Sequence, residues 1–409
     1  MKQYDSYKNC SLEWFGKLPS HWEIVKLKYR YHFQTGATPN TGKKENFDGD
    51  LKWANISDLN GSFVYDTAKH ITKDAVSKCS MSISPKGSLM YSFKLSVGTV
   101  AFCGCDMFTN EAIASFVPQK NDLKFLFYCA PIFIIHNANR NIYNAPLLNQ
   151  ELIKNAWICL PPLREQIAIA NYLDKKCSEI DKVISAQQKR IALLQELKQS
   201  VITHAVTKGL DPNVEMKDSG VEWIGNIPKH WELIRTRYLC KLCTGNKDTI
   251  NRVDDGQYPF YVRSPKVERI NTYSFDGEAI LMAGDGVGAG KVFHYANGKF
   301  DYHQRVYNFH DFKRVTGKFF YYYISNNFRY IIEEGGAKNT VDSVRLYMIQ
   351  NFLMTIPPKV EQDRICEYIE RQVITFDGAI SKAQHQVELL QEYKQSLITE
   401  VVTGKRKVC

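Results

Sequence analysis

The run Ala283-Gly284-Asp285-Gly286-Val287-Gly288-Ala289-Gly290-Lys291 invites a phosphate-binding reading, because backbone N–H groups of a glycine loop can cradle phosphate oxygens. It does not meet the requirement. A nucleotide-binding loop needs glycine where Asp285 stands and Ser or Thr where Val292 stands. The flanking stretches read as strands, so no helix N-terminus is available for an anion, and a tight glycine hairpin is expected. Cys240 and Cys243 form a Cys-x-x-Cys, but no second ligand pair with zinc-site spacing follows. Packed thiols are expected there and at Cys103 and Cys105. The chain contains no Asp-Pro-Pro-Tyr box, no His-Glu-x-x-His, no Gly-x-Ser-x-Gly and no carboxylate pair beside a lysine of nuclease type. The motifs thus point away from an enzyme.

The 409 residues allow two or three domains of ordinary size. A net charge of +10 suits a polyanionic partner without demanding one. Met1 to Cys10 is polar, and no apolar stretch reaches about 18 residues, so neither a signal peptide nor a membrane span is expected. Eleven irregularly spaced cysteines in that setting predict reduced thiols and a cytoplasmic, soluble protein.

Any residue that acts must be positioned by a frame that occurs twice. Residues 10–36 align without a gap on 219–245 with ten identities, among them Glu13/Glu222, Trp14/Trp223, Pro19/Pro228, His21/His230, Trp22/Trp231 and Gly36/Gly245. Residues 160–209 align on 356–405 with 21 identities. Between these blocks lie two dissimilar segments, about 37–159 and 246–355. One architecture with two different inserts is implied. In the first block the tryptophans are expected in the core, with His21 bonding locally. The following Lys26-Leu27-Lys28-Tyr29-Arg30 suits a strand or a short helix equally.

The second block opens on Pro161-Pro162 or Pro357-Pro358 followed by Glu165-Gln166 or Glu361-Gln362, a helix start. Apolar residues then recur at Leu173, Cys177, Ile180, Ile184, Ile191 and Leu194, and at Ile369, Val373, Phe376, Ile380, Ala383, Val387 and Leu390. That 3.5-residue period predicts a coiled coil with seam residues Leu173, Ile180, Ile184, Ile191, Leu194, Ile369, Phe376, Ile380, Val387 and Leu390. Both copies break register at Lys198 and Lys394. A helix over 163–205 runs about 65 Å at 1.5 Å per residue. A domain about 30–35 Å across cannot carry the chain back that far, so the helices are predicted to pair antiparallel.

The inserts read as mixed domains, with strands near Gly277–Met282 and Val292–Tyr295 and core helices over Lys124–His136 and Lys318–Ile332. Tyr321, Tyr322 and Tyr323 are expected to pack rather than stack on bases. The predicted fold is α+β: two globular domains joined by two long antiparallel coiled-coil helices in an internal pseudo-two-fold repeat. Its parts are a first domain at 1–159, a central helix at 160–209, a second domain at 210–355 and a C-terminal helix at 356–409.

Two variable segments, each opened by Glu-Trp-x-Gly-x-x-Pro-x-His-Trp and closed by Pro-Pro-x-x-Glu-Gln and Leu-Leu-Gln-Glu-x-Lys-Gln-Ser, resemble the DNA-specificity subunit of type I restriction–modification enzymes. The resemblance spans essentially the whole chain. It implies that each variable segment is a target recognition domain reading one half of a bipartite asymmetric site in double-stranded DNA. It also implies that the helices set the gap and dock two adenine methyltransferase subunits, and that restriction/translocase subunits join them. The chain itself would be non-catalytic and bind no cofactor; S-adenosylmethionine, ATP and Mg would belong to partner subunits acting on a flipped-out adenine. From the residues alone, a coiled-coil scaffold for protein partners and an enzyme with an unrecognised site stay open.

Base edges are read by Arg or Lys at guanine and by Asn or Gln at adenine. The loop candidates are Asn55, Asn110, Asn139, Arg140 and Asn141 in the first domain, and Arg263, Lys266, Gln304, Arg305, Lys338 and Asn339 in the second.

Overall fold

A computed structural model describes residues 3–10, 12, 14–118, 120–334 and 343–408; Glu13 lies outside the described residues. Its longest elements start at the double prolines. The carbonyls of Pro162 and Pro358 accept the N–H groups of Glu165 and Gln166 and of Glu361 and Gln362. Helices follow over Leu163–Lys208 and Lys359–Val402, 46 and 44 residues long. Each runs out at a glycine in the left-handed region, Gly209 at φ 81° and Gly404 at φ 70°, where a side chain would be strained.

The chain forms two compact units, Met1–Ala186 with Gln386–Cys409 and Gln187–His385, so each unit holds a stretch of both long helices. In the first unit Lys394 Nζ donates to both carboxylate oxygens of Asp181, at 2.7 and 2.8 Å. In the second, Lys198 Nζ donates to Asp377 Oδ1 at 2.7 Å. Position 181 faces 394 and position 198 faces 377, so the helices are antiparallel, as the reach argument requires. The two pairs are repeat mates, which explains the register break: at Lys198 and Lys394 the seam exchanges an apolar knob for a crossing ion pair. Leu173, Ile180, Ile184, Ile369 and Ile380 are buried, while Ile191, Leu194, Phe376, Val387 and Leu390 are half-buried.

Each unit carries a sheet of the same construction. In the first unit the order is Phe33–Thr35, Ile113–Phe116, Leu89–Ser92, Val100–Cys103 and Phe63–Val64; the strands Phe108–Thr109, Leu51–Ala54 and His70–Ile71 form a second small sheet. In the second unit one sheet runs Lys241–Thr244, Val306–His310, Phe275–Ala283, Phe293–Tyr302, Tyr258–Tyr261 and Glu268–Ile270. The central strand Leu89–Ser92 is buried throughout, as is Ala279–Ala283, because both faces are covered. Helices Leu123–Phe133 and Gly317–Glu334 supply much of that cover, burying Phe125, Leu126 and Phe133 in one unit and Phe319, Phe320, Tyr323 and Phe328 in the other. Tyr323 is therefore a core residue and Tyr321 and Tyr322 are half-buried against the same core, as expected. The ambiguous segment at Lys26 is both forms in succession, a strand Glu23–Lys26 and a 3-10 turn Leu27–Tyr29.

The two constant blocks meet in each unit. Trp22 and Trp231 are fully buried, and their indole N–H groups donate to Glu165 and Glu361, each at 3.1 Å. His21 does not bond locally as expected. Its Nε2 sits 2.7 Å from Glu165 Oε2, 144 residues away, and His230 repeats the contact with Glu361 at 2.9 Å. The following glutamines are cross-links: Gln166 accepts Asp122 N–H and donates to Pro161 O, while Gln362 accepts Thr316 N–H and donates to Pro357 O. The Glu-Gln pair thus fastens both the tryptophan block and the start of the core helix to the long helix.

Candidate nucleic-acid interface

In the second domain, Gly245, close against the carbonyls of Tyr302 and His303, brings the loop after Lys241–Thr244 to the turn 302–306. Gln304 N–H bonds Lys247 O at 2.8 Å, and the Gln304 amide donates to Asp248 Oδ2 at 2.9 Å. Arg263 Nη1 donates to Asp285 Oδ1 at 3.0 Å, and Arg305 Nε stands 3.6 Å from Asp285 Oδ2. Beneath them His303 is buried, and burial, with Arg263 second, lowers its imidazole from the usual value. Three candidate readers, Arg263, Gln304 and Arg305, therefore share one patch. Lys266 extends from the neighbouring loop, 79% exposed and 3.8 Å from Glu268. Lys338 and Asn339 lie outside the described residues.

The glycine loop lies between strands, as expected, but it is not a tight hairpin. The strand pairing ends at Met282 and Phe293, and the intervening loop is tied by Gly290 N–H to Ala283 O. Its glycines make room rather than hold an anion: a Cβ on Gly288 would collide with Arg263 O, and one on Gly290 with Ile332.

In the first domain the amides are partly spent on their own backbone. Asn55 Oδ1 caps the turn Ile56–Asp58 by accepting Ser57 N–H, and Asn110 Oδ1 accepts Ala112 N–H at 3.1 Å. The two are neighbours, since Asn110 N–H bonds Ala54 O at 2.9 Å. Asn139 and Arg140 are exposed on a two-residue strand paired with Pro146–Leu147. There Asn141 Oδ1 accepts Tyr143 and Ala145 N–H groups, and Arg140 Nη1 donates to Asn144 O. Such self-capping is what Asn does best in turns. At the tip of this hairpin Ile142 and Tyr143 are almost fully exposed.

Sequence reasoning missed Thr38, Lys94 and Glu111. The Thr38 hydroxyl donates to Glu111 Oε2, and Lys94 Nζ lies 3.7 Å from Glu111 Oε1. The hydroxyl foremost, aided by Lys94, holds this carboxyl below its usual range. Asp285 was passed over as a failed phosphate loop, although it organises the arginines of the second domain. An acidic loop side chain is ordinarily solvated and repels a polyanion, so only the folded geometry singles out either group.

Two sheets of like construction, each covered by a core helix and each opening loops of different chemistry, define a duplicated recognition protein. Residues 19–192 and 228–389 match the type I restriction modification DNA specificity domain, and the chain belongs to that family. It is 28% identical to the EcoDI type I restriction enzyme specificity subunit of Escherichia coli, over 44% of this chain and 40% of that one. To the putative MjaX type I restriction enzyme specificity subunit of Methanocaldococcus jannaschii it is 23% identical, over 99% of this chain and 98% of that one. The match thus spans less than half the EcoDI subunit and nearly all of the MjaX subunit. In fold it is similar, with a TM-score of 0.71 and 14% identity, to a chain solved in work on complex assembly and conformational transition of the type I R-M system; the match covers 94% of this chain and 98% of that one. Among the described residues no helix is long and apolar enough to cross a membrane.

Proposed function

We propose that this chain is the DNA-reading subunit of a type I restriction–modification complex, each variable domain addressing one half of a bipartite asymmetric duplex site. What supports the reading is that one strand order carries two different sets of loop side chains: arginines, glutamine and lysine in one domain, and amides with a lysine–glutamate pair in the other. A common scaffold with exchanged loop chemistry is what two half-sites of different sequence require. In this reading the long helices bind two adenine methyltransferase subunits, and restriction/translocase subunits complete the assembly. The chain performs no chemistry. S-adenosylmethionine, ATP and Mg act on those partners.

The test is binding of duplex DNA by the chain complexed with its methyltransferase partner, measured against salt. Contacts to several phosphates release counterions, so affinity should fall steeply as salt rises. Equal affinity at low and high salt would overturn the DNA-reading role and favour a scaffold for proteins.

A further inference from the structure

The two loop clusters share one backbone frame, although their sequences show no obvious likeness. Ile113 pairs with Ser92, and Val306 with Ala283, at the same point of each sheet. Counting back from there, Asn110 and His303 occupy one position. Each accepts the backbone N–H two residues on, Ala112 at 3.1 Å and Arg305 at 2.9 Å. Each is hung on the adjoining strand by the same bond, Asn110 N–H to Ala54 O and His303 N–H to Tyr261 O, both 2.9 Å.

The loop facing each turn supplies an ionic partner from one matched position, two residues beyond Ser92 or Ala283. In the first domain that residue is Lys94 and the turn carries Glu111. In the second it is Asp285, and the turn carries Arg305, 3.6 Å away and one residue beyond Gln304, which occupies the position of Glu111. The pair is present in both domains with its polarity reversed. In the first pair both members are open, Glu111 at 49% and Lys94 at 51%, and in the second Arg305 is open at 66% over Asp285 at 25%. Leu95 and Val287 project from the same facing loops almost uncovered. An exposed ion pair contributes only about 0–1 kcal/mol, so stability gives no reason for one here in both domains.

We propose that these matched turns are the base-reading elements, and that their reversed polarity makes the half-sites chemically opposite. Glu111 accepts from a base amino group, adenine N6 or cytosine N4, whereas Arg305 donates to guanine O6 and N7. Lys94 and Asp285 are positioning residues that hold each reader in place. The assignment rests on the DNA-reading role above.

The experiment uses the full chain with its methyltransferase partner, and reads the modified sequence as methylated adenines mapped across a genome. Glu111→Ala is expected to relax one adenine or cytosine position of the first half, with discrimination falling between about fivefold and about a hundredfold, and to leave the second half unchanged. Arg305→Ala should relax one guanine of the second half and leave the first unchanged. Arg305→Lys, which keeps the charge but not the fork, should relax the same guanine, so the assignment can be judged even where the alanine variant folds poorly. In each variant the untouched half reports that the chain is folded. A motif that no variant alters, or uniform weakening across all sequences as for a phosphate contact, overturns the assignment. Absence of any bipartite motif in the unmodified complex would instead overturn the DNA-reading role itself.

Discussion

Glu165 Oε1 accepts the indole N–H of Trp22 at 3.1 Å, while Oε2 of the same carboxylate holds His21 Nε2 at 2.7 Å. Tyr4 OH donates to it as well, at 2.6 Å. Glu361 contacts Trp231 and His230 in the other unit, both through Oε2. Removing such an acceptor leaves a buried indole N–H unpaired, which costs about 1–3 kcal/mol. Glu165→Ala should therefore lower stability by about that amount in chemical denaturation. Glu361→Ala should cost less, because its side chain is 30% exposed against 12% for Glu165. Equal, negligible effects would show that the tryptophans alone hold the blocks together.

The helix seam separates two kinds of contribution. The Lys394–Asp181 and Lys198–Asp377 pairs are partly exposed, so Lys394→Ala should change stability by less than about 1 kcal/mol. Ile184 and Ile380 are buried, and an aspartate at either site would place an unpaired charge among apolar side chains. The Ile184→Asp, Ile380→Asp double variant should lose the paired helices and with them assembly with the methyltransferase. Size-exclusion chromatography of the mixture checks this; an intact complex would remove the helices from the docking surface.

The paired helices are legible in the sequence because a 3.5-residue period sustained over three heptads overrides local ambiguity, and because chain reach forbids a parallel pair. The tryptophan core is legible from residue size. The His21–Glu165 contact is not, since it spans 144 residues and nothing in its neighbourhood announces a distant partner. Residue type on loops selects Arg263, Gln304 and Arg305, which the fold gathers into one patch. The same rule chose Asn55 and Asn110, whose side chains cap their own turns. It passed over Glu111, Lys94 and Asp285 because their meaning depends on strand register, and register is invisible between two segments that share no obvious sequence.

Arg263 and Lys266 should behave differently although they lie three residues apart. Arg263 is fixed by Asp285, whereas Lys266 is mostly solvated. Arg263→Glu should weaken binding to the second half-site selectively, by breaking the arginine pair and repelling the duplex. Lys266→Glu should weaken binding by a similar factor on every sequence and flatten the salt dependence by about one phosphate contact. Titrations against duplexes altered in one half at a time distinguish the two patterns. Selectivity lost in the Lys266 variant alone would reverse the assignment.

The last difference between the domains is that one turn is capped by a group that titrates. His303 Nδ1 accepts Arg305 N–H at 2.9 Å, which requires that nitrogen to be unprotonated. Asn110 does the same for Ala112 and cannot titrate. Burial, then the guanidinium of Arg263 and more weakly that of Arg305, lower His303 from its usual 6.5, with Asp248 and Asp285 opposing. A histidine held neutral in the fold leaves stability intact above the unfolded value. As pH falls below 6.5 the unfolded chain takes up a proton that the fold resists, so the turn loses stability until His303 is itself protonated. Acidification from about pH 7.5 to about 5.5 should thus weaken discrimination in the second half-site before the first. His303→Asn, which copies the cap of the other domain, should keep recognition at neutral pH and remove this asymmetry. Binding to duplexes with either half altered, measured across that range, checks it. Parallel loss in both halves, or an acid response unchanged by His303→Asn, would show that the cap is not the titrating element.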